Sequence, residues 1–464
     1  MLDPPTFDTA LLQRYDRPGP RYTSYPTAPQ FNAGFGEAEL REAVLASNGD
    51  PIPRRLSLYL HVPFCMSPCF YCGCNRIITR DLARGEHYLV RLYREIAAMA
   101  ALFDRDREVI QIHFGGGTPN FLSPAQLAEV LDTLRHQFTV SLSAERDISI
   151  ELDARFVSPA DIGQLAAAGF NRASLGVQDF DADVQAAVNR IQSVDETLAI
   201  IDACRAHGFR SVNVDLIYGL PRQTLAGFAR TLETVLGARP DRLAVYGYAH
   251  LPELFRPQKQ IDASELPDAA TRLALLQLAI TTLTSAGYVY VGMDHFALPD
   301  DDLAMAQEIG ALHHDFCGYS LHGDCDHLGF GVGAVSRVGG LFCQNADRVP
   351  AYQRALDQGQ LPCVRGLHAN HIDPLHRLLL ERLLCTFALD FDALSLQSGV
   401  DVRQRYAQHW PALRQLHADG VIVLDDSGLR VPAQARLLVA AVCAAFEQPG
   451  AVTIGHSAGN TARR

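Results

Sequence analysis

Three cysteines near the start of the chain have a spacing suited to an iron–sulfur cluster. Cys65, Cys69 and Cys72 follow one another as C-x3-C-x2-C in HVPFCMSPCFYCGCN, and Cys74 comes two residues later. Three thiolates on one loop can hold three irons of a [4Fe–4S] cluster and leave the fourth iron open. A structural zinc site is the alternative, but Cys72 and Cys74 are spaced poorly for one tetrahedral ion. We therefore predict Cys65, Cys69 and Cys72 as ligands of one [4Fe–4S] cluster.

Further residues with binding chemistry follow predicted strands. Gly116 and Gly117 stand in HFGGGTP, where a missing side chain lets a ligand approach the backbone closely. The string is not a P-loop, because no Gly-Lys-Ser/Thr follows, and a tight turn is its plain alternative. Glu151 ends the third strand, where a carboxylate can accept hydrogen bonds from both ribose hydroxyls or form an ion pair. Three more polar candidates at the same rim are Gln178, Arg190 and Asp215. Together these residues predict a polar binding site.

The elements that must position these residues alternate between strand and helix from Ser57 onward. The six predicted strands are SLYLHVPF, VIQIHF, DISIEL, NRASLGVQ, SVNVDLIYG and RLAVYGYA, each followed by an amphipathic helix. This alternation predicts parallel strands with right-handed crossovers. Six units are too few to close an eightfold barrel. We therefore predict an α/β fold, an open partial (β/α)6 TIM-like barrel, with ligands at the carboxyl ends of its strands.

Changes in composition divide the chain into four parts. Residues 1–55 are rich in Pro, Gly and Tyr and predict an extended N-terminal arm. Residues 56–365 hold the barrel with accessory segments, and the stretch after 288 is irregular. Residues 366–447 predict a small, mainly helical C-terminal domain with a hairpin in VIVLDDSGLRV, and 448–464 predict a flexible tail. Helices with a hairpin also fit a winged-helix module, but no basic face accompanies them.

Composition limits the classes of partner. The 464 residues include 40 basic and 52 acidic ones, a net charge of −12, so no broad basic field is available for nucleic acid. An anionic substrate needs locally placed arginines. The 11 cysteines, an odd number in a long chain, favour metal or redox use in a reducing compartment. No secretory signal and no apolar run long enough for a membrane helix is visible, so we expect a soluble, cytoplasmic protein without a membrane partner.

Longer motifs resemble a known family. The C-x3-C-x2-C motif after the first strand of a βα barrel looks like the radical S-adenosylmethionine (SAM) superfamily. The strings RYTSYPT, YLHVPFCxxxCxYCGC, HFGGGTP, LGVQDF, VNVDLIYGLP and YAHLP, in this order along the chain, resemble the oxygen-independent coproporphyrinogen III oxidases. The resemblance covers nearly the whole chain.

The resemblance implies two bound SAM molecules. By motif, the residues that serve the cluster-bound SAM are Tyr59, Gly116, Glu151, Ala249 and Val335. Those that serve the second SAM are Tyr71, Gly117, Thr118, Gln178, Arg190 and Asp215. Cys74 does not ligate iron in this interpretation, because one iron must stay open, and it is a candidate catalytic residue.

The resemblance also implies the reaction. A 5′-deoxyadenosyl radical would initiate oxidative decarboxylation of two propionates of coproporphyrinogen III to vinyl groups, giving protoporphyrinogen IX in haem biosynthesis. The reaction needs a one-electron donor and an electron acceptor, and a monomer is expected. Because the substrate carries four carboxylates, arginines should line its entrance. Arg21 and Arg76 are tentative substrate contacts, with solvent-exposed charge as the alternative.

Some positions depart from the family pattern. Where HRNFxGYTT is usual, His314 and Asp315 replace an arginine–asparagine pair, Cys317 stands where glutamine or methionine is frequent, and Ser320 replaces threonine. Gly247 stands where asparagine is frequent. A lost arginine could alter recognition of a substrate carboxylate. The alternatives are a radical SAM haem chaperone or haem-modifying relative, and a non-enzymatic, zinc-stabilised binding protein.

Overall fold

The computed structural model describes residues 4–15, 25–26, 30–315, 318–368 and 372–447. The N-terminal elements are α1 (Thr9–Tyr15), α2 (Glu37–Asn48), β1 (Leu56–Val62), β2 (Phe64–Cys65), β3 (Ile77–Ile78), α3 (Ala83–Ala100), β4 (Glu108–Gly116), α4 (Pro124–Gln137) and β5 (Thr139–Val140). The next are β6 (Asp147–Leu152), α5 (Pro159–Ala168), β7 (Arg172–Gln178), α6 (Ala182–Ala187), α7 (Val194–Ala206), β8 (Ser211–Tyr218), α8 (Leu225–Ala238), β9 (Arg242–Gly247) and α9 (Ala269–Ser285).

The remaining elements follow the six strand–helix units. They are β10 (Val289–Gly292), β11 (His295–Ala297), α10 (Asp302–Glu308), β12 (His313–Asp315), β13 (Gly318–Ser320), β14 (Asp326–Phe330), β15 (Val335–Val338), β16 (Leu341–Asn345), α11 (Val349–Asp357) and β17 (Cys363–His368). The C-terminal elements are α12 (Pro374–Thr386), β18 (Ala388–Asp390), α13 (Phe391–Ser398), α14 (Val402–Arg405), α15 (Trp410–Ala418), β19 (Val423–Leu424), β20 (Gly428–Arg430) and α16 (Val439–Ala444).

The six predicted strands form one parallel sheet in the order β9-β8-β7-β6-β4-β1. Within the described residues the sheet does not close, because β10 and β17 are its two ends. The prediction of an open, partial barrel is therefore confirmed.

The stretch after residue 288, predicted as irregular, extends this sheet at both edges. β14 pairs parallel with β1 and continues into antiparallel β15, β16 and β17. At the other edge, antiparallel β11 and β10 follow β9. Short strands between glycines lack a clear local pattern, so their pairing depends on long-range contacts.

The two faces of the parallel strands differ in chemistry. Alternate residues such as Leu58, Leu60 and Ile112 are buried in the apolar core. The residues between them, such as Ser57 and Gln111, line a cavity inside the partial barrel. Because successive strand residues point to opposite faces, the alternation produces a hollow, polar interior.

Folded segments precede and follow the barrel in the described part of the chain. The predicted extended arm contains helices α1 and α2, so the expectation of extended structure is wrong there; α2 buries Leu40 and Val44 against the core. The C-terminal part is mainly helical, as predicted, with a small sheet in the order β18-β20-β19. The β19–β20 pair is the predicted hairpin. In the described part of the chain, no helix is long and apolar enough to cross a membrane.

Candidate active site

The predicted site residues meet in one cavity of about 640 Å³ inside the partial barrel. Its lining includes every predicted cluster, SAM and catalytic residue: Tyr59, Cys65, Cys69, Tyr71, Cys72, Cys74, Gly116, Gly117, Thr118, Glu151, Gln178, Arg190, Asp215, Ala249 and Val335. Arg76 lines it too. Arg21 lies outside the described residues. Residues from far along the sequence converge because they follow neighbouring strands of one sheet.

The cysteine loop is fixed by hydrogen bonds to its own backbone. The Arg76 guanidinium donates to the carbonyls of Cys69, Cys72 and Cys74, at 3.2, 3.1 and 3.3 Å. The Thr79 N–H donates to the carbonyl of Cys65, at 2.9 Å. These contacts support a role for Arg76 in holding the loop rather than in contacting substrate.

Polar groups also surround the sulfur atoms. The Thr118 hydroxyl donates to Cys65 Sγ at 3.3 Å, and burial raises the pKa of the Cys65 thiol to about 12. A hydrogen bond with the Cys74 thiol lowers the pKa of Cys72 to about 6. Four thiolates on one zinc ion would lie about 4 Å apart, but no three His, Cys, Asp or Glu side chains of the described residues are placed to hold one metal ion.

The glycine string packs directly against the cysteine loop. Gly116 has a φ of +118°, and a Cβ there would lie 2.7 Å from the His61 ring. A Cβ at Gly117 would lie 2.9 Å from the Phe64 carbonyl oxygen. The Gly116 N–H donates to Glu151 Oε2 at 3.2 Å. Glycine is thus required at this position, which links the Glu151 carboxylate to the loop.

Tyr59 stands among imidazole rings on the inner face of the barrel. Its ring stacks on His113 at 5.8 Å between centroids. The His61 Nε2 lies 3.0 Å from the Asn75 carbonyl and must donate to it, so the Nδ1 accepts from the Tyr59 hydroxyl at 3.2 Å. Burial lowers the pKa of His61, which agrees with this neutral tautomer.

Arg190 lies beside Cys69 in a buried charge cluster. Its Nη1 contacts Cys69 Sγ at 3.5 Å and Asp153 Oδ2 at 3.2 Å. Arg155 donates to the same carboxylate at 2.6 Å and reaches Cys69 Sγ at 3.6 Å. Burial alone would raise the pKa of Asp153, but the charges of Arg190 and Arg155 outweigh burial and lower it. Two guanidinium groups therefore place positive charge next to a predicted cluster ligand.

Two buried polar atoms face the cavity without a partner among the described residues. They are Gln178 Oε1 and Arg190 Nε. Gln178 has a φ of +70°, and a bulge separates it from the regular β7–β8 register. A strained backbone and a buried oxygen without a hydrogen bond both destabilise the fold unless a bound ligand compensates for them. Both features fit a site that binds a polar cofactor.

The remaining predicted residues form the opposite wall. Asp215 accepts from Asn213 Nδ2 at 2.8 Å and from the Ser174 hydroxyl at 3.4 Å. Gln258 donates to the carbonyls of Tyr71 and Ala249, at 2.9 and 3.1 Å, and so joins two segments that are 178 residues apart in sequence. Val335 begins β15, which pairs antiparallel with β14.

Sequence reasoning missed several residues in and around the cavity. Asp153 and Arg155 follow Glu151 within LDARF, and the acid–base alternation after a strand end was an available signal. His61 and His113 occupy inner-face positions of β1 and β4, two residues from Tyr59 and three from Gly116. His61 and His113 share the alternating inner-face positions of Ser57 and Gln111. This pattern predicts the face of the sheet on which the two histidines lie, but not their function.

The departures at His314 and Ser320 lie in the β12–β13 hairpin, and the departure at Gly247 lies at the end of β9. His314 packs against Tyr319 in the β12–β13 hairpin, with ring centroids 4.8 Å apart. His322, just past the hairpin, hydrogen-bonds Asp147, the first residue of β6, at 3.2 Å. This contact ties the hairpin to the amino end of β6, and Tyr319 and Ser320 of the hairpin line the same cavity as the cysteines, whereas His314 does not. Cys317 lies outside the described residues, as does the side chain of Asp315.

Two departures, Gly247 and Ser320, line the cavity. A Cβ at Gly247 would lie 2.8 Å from the Tyr218 hydroxyl, so a larger residue here requires Tyr218 to move. Ser320 is buried, and its hydroxyl accepts from the His322 N–H at 3.0 Å.

Comparison with known proteins agrees with this geometry. The Radical SAM superfamily model matches residues 59–235, and the HemN C-terminal domain model matches residues 369–438. The oxygen-independent coproporphyrinogen III oxidase of Pseudomonas aeruginosa is 48% identical over 448 residues, 97% of each chain. The chain belongs to the oxygen-independent coproporphyrinogen III oxidase family. The Escherichia coli relative of that name is 42% identical over 441 residues, 95% of each chain.

A solved structure supports the same family. Coproporphyrinogen III oxidase (HemN) from Escherichia coli, described as a radical SAM enzyme, matches with a TM-score of 0.90 and 41% identity, covering 96% of this chain and 100% of that one. Radical SAM membership implies a [4Fe–4S] cluster and SAM as cofactors of this family member. The three-cysteine loop, the glycine cradle and the unpaired Gln178 oxygen fit these groups. These findings do not support the zinc-stabilised binding protein.

Proposed function

We propose that this chain oxidatively decarboxylates two propionate side chains of coproporphyrinogen III to vinyl groups, giving protoporphyrinogen IX. The observation that carries the proposal is the convergence of all fifteen predicted cofactor and catalytic residues on one cavity. Relatives named for this activity match along nearly the whole chain, and this supports the substrate assignment.

Cys65, Cys69 and Cys72 hold the cluster in this proposal, and the loop bonds from Arg76 keep them in place. When bound, the cluster and SAM supply a 5′-deoxyadenosyl radical that removes a hydrogen atom from a propionate side chain. Cys74 lies beside Cys72 without ligating iron, since a three-cysteine set leaves one iron for SAM. Its thiol therefore remains available at the cavity for a catalytic step.

Two sets of residues hold two SAM molecules in this proposal. Gly116, Glu151 and Tyr59 lie together and would bind the first molecule with Ala249 and Val335. The second set is Tyr71, Gly117, Thr118, Gln178, Arg190 and Asp215. Carboxylates at strand ends accept hydrogen bonds from ribose hydroxyls. The Gln178 Oε1 can accept a hydrogen bond from an amino or hydroxyl group of the cofactor, and the Arg190 Nε–H can donate one to its carboxylate.

The partners follow from the reaction. A one-electron donor must reduce the cluster, and an acceptor must take the electron released when the substrate loses CO2. Arg21 is the proposed contact to a substrate carboxylate, whereas Arg76, which also was a candidate from the sequence, is assigned to holding the cysteine loop. We expect the chain to act as a monomer in the cytoplasm.

The deciding experiment uses full-length protein reconstituted anaerobically with iron and sulfide. Coproporphyrinogen III, SAM and a reductant are added, and protoporphyrinogen IX is measured after oxidation to its fluorescent porphyrin. We expect the carboxyl groups of two propionates to be released as CO2, leaving two vinyl groups, with consumption of SAM. SAM cleavage without vinyl formation would refute the proposal and favour a haem-binding or haem-modifying relative. A Cys65→Ala variant serves as the matched control, because it should cleave no SAM.

A further inference from the structure

Two of the proposed SAM contacts, Tyr59 and Glu151, meet at the side chain of His113. This histidine lies on the inner face of β4 and lines the cavity, although neither proposed SAM set includes it. Its ring stacks on Tyr59, with 5.8 Å between the ring centroids and 23° between the ring planes. Its Nε2 lies 3.3 Å from Glu151 Oε1, and its Nδ1 lies 2.6 Å from the Ser149 hydroxyl oxygen. The imidazole therefore contacts three side chains of the cavity wall at once.

The Ser149 hydroxyl determines where His113 carries its proton. The hydroxyl has two acceptors within reach, His113 Nδ1 at 2.6 Å and the Ile112 carbonyl at 3.5 Å. The shorter distance favours donation to Nδ1, since hydroxyl donors normally lie about 2.5–3.0 Å from their acceptors. A neutral ring that accepts at Nδ1 carries its proton on Nε2, and a doubly protonated ring carries one there too. In both states the Nε2–H donates to the Glu151 carboxylate, which can only accept.

The Glu151 carboxylate is held from two sides. The His113 Nε2–H donates to Oε1 at 3.3 Å, and the Gly116 N–H donates to Oε2 at 3.2 Å. A Cβ at Gly115 would lie 2.9 Å from Oε1, so the carboxylate packs closely against the backbone of β4. The Glu151 side chain is still 34% exposed, which leaves it accessible to a ligand. A side chain that is already oriented loses less rotamer freedom when it binds a ligand.

We propose that His113 is a positioning residue for SAM binding, which fixes the Glu151 carboxylate in the orientation that accepts hydrogen bonds from the cofactor. This inference rests on the proposed function, because that proposal assigns Glu151 and Tyr59 to the cluster-bound SAM. Histidine suits the task since its two nitrogens lie on one rigid ring: Ser149 holds the first, and the second reaches Glu151. The stacked ring also restrains Tyr59. His113 acts through these two neighbours.

Two substitutions separate the hydrogen bond to Glu151 from the presence of a polar side chain. The amide nitrogen of a glutamine can take the place of Nε2, whereas an asparagine reaches only the place of Nδ1 beside Ser149. His113→Gln therefore keeps a donor for Glu151, and His113→Asn loses it. We expect the Kd of SAM to rise at least about tenfold in His113→Asn and less than about threefold in His113→Gln, because one charge-assisted hydrogen bond is lost only in the first.

The measurement uses full-length protein with its cluster loaded anaerobically. The cluster is reduced with dithionite, SAM is added, and samples are frozen at once. The change that SAM causes in the electron paramagnetic resonance spectrum of the cluster gives the Kd of the cluster-bound molecule alone. Gln111→Asn is the matched control: Gln111 lies two residues earlier on the same face, accepts from the Ser57 hydroxyl at 2.8 Å, and should leave the Kd unchanged. Urea unfolding midpoints of all variants report any general loss of structure.

A double-mutant cycle tests whether His113 acts through Glu151. Glu151→Ala alone should raise the Kd of SAM, and adding His113→Asn should raise it less than about threefold further, since the carboxylate to be positioned is gone. A further tenfold loss would overturn the proposal, as would equal Kd values for His113→Gln and His113→Asn. An unchanged Kd in Glu151→Ala would overturn it too, because His113 would have no SAM contact to position. No tetrapyrrole is present in these measurements, so failure to convert coproporphyrinogen III remains a separate result.

Discussion

Glu95 of α3 is a buried carboxylate close to the candidate site, and its replacement by glutamine gives a quantitative prediction. The side chain is 0% exposed. Its Oε1 accepts from Asn345 Nδ2 at 2.6 Å, and its Oε2 accepts from the Tyr352 hydroxyl at 2.6 Å and the Gly331 N–H at 2.8 Å. Burial raises the pKa of Glu95 to about 7, although these three donors act to lower it. No basic side chain among the described residues contributes to this environment.

The pH dependence follows from the raised pKa. Between pH 4.5, the ordinary value, and about 7, the folded chain binds more protons at Glu95 than the unfolded chain does. Stability is therefore lost as pH rises through this window, by about 3 kcal/mol in total. Glu95→Gln removes this ionisation. Relative to wild type, the variant should gain about 2 kcal/mol of unfolding free energy between pH 5 and pH 8.

A second effect of the substitution does not depend on pH. Asn345 Nδ2 also donates to the Gly331 carbonyl at 2.9 Å, which fixes its amide with the donor toward residue 95. A glutamine amide would then place one donor against another, at a cost of about 1–3 kcal/mol at every pH. The change in relative unfolding free energy between pH 5 and pH 8, rather than its value at either pH, therefore tests the raised pKa of Glu95.

The assay is urea unfolding of the cluster-free protein at pH 5 and pH 8, followed by circular dichroism. Glu86→Gln, an exposed glutamate on the same helix, is the matched control and should show no pH-dependent difference from wild type. A Glu95→Gln variant whose stability relative to wild type is flat, or falls, between pH 5 and pH 8 would refute the reasoning.

Three further predictions concern the cavity directly. Cys65→Ala should abolish the brown cluster absorbance and SAM cleavage while far-ultraviolet circular dichroism stays native; a retained cluster would contradict the ligand assignment. Cys74→Ser should keep normal iron content and absorbance but lose turnover, whereas loss of the cluster would make Cys74 a ligand. Gln178→Ala should raise the KM for SAM at least about tenfold, because one charge-assisted hydrogen bond contributes about 1.5–3 kcal/mol. Its unfolding midpoint should barely change, since the Gln178 Oε1 has no partner among the described residues; an unchanged KM would contradict a cofactor contact.

The sequence was sufficient to locate the site because its residues end strands. Glu151 and Gln178 end or nearly end their strands, and parallel strands bring such positions to one edge, whereas Asp215 lies in the middle of β8 and reaches the cavity from its inner face. The local signal also included the Gly116–Gly117 pair, which the backbone geometry requires. Strand ends and glycines are properties of short windows, and these can be recognised without tertiary information.

Pairings between distant segments could not be recognised in the same way. β14 is five residues long and every one of them is buried, yet DHLGF shows no alternation that identifies a strand. It forms because β1 offers a free parallel edge. The Asp153–Arg190 ion pair likewise joins residues 37 positions apart, and neither residue type predicts its partner. Long-range complementarity decides both features.

The charges inside the cavity bear on how a tetracarboxylate substrate is recognised. Among the described residues, the arginines that line it are Arg76, Arg172, Arg190 and Arg242. Arg172 pairs with Asp147 and Asp302, Arg190 with Asp153, and Arg242 with Asp301, while Arg76 donates to the cysteine-loop carbonyls. A guanidinium that already has a buried partner must leave that partner uncompensated before it can bind a carboxylate, which costs several kcal/mol. Each wall arginine is therefore better suited to holding the cavity's shape than to contacting propionates. Because the chain has a net charge of −12, binding of an anionic substrate needs a further positively charged side chain at the entrance. Arg21 in RYTSYPT is the candidate that we favour.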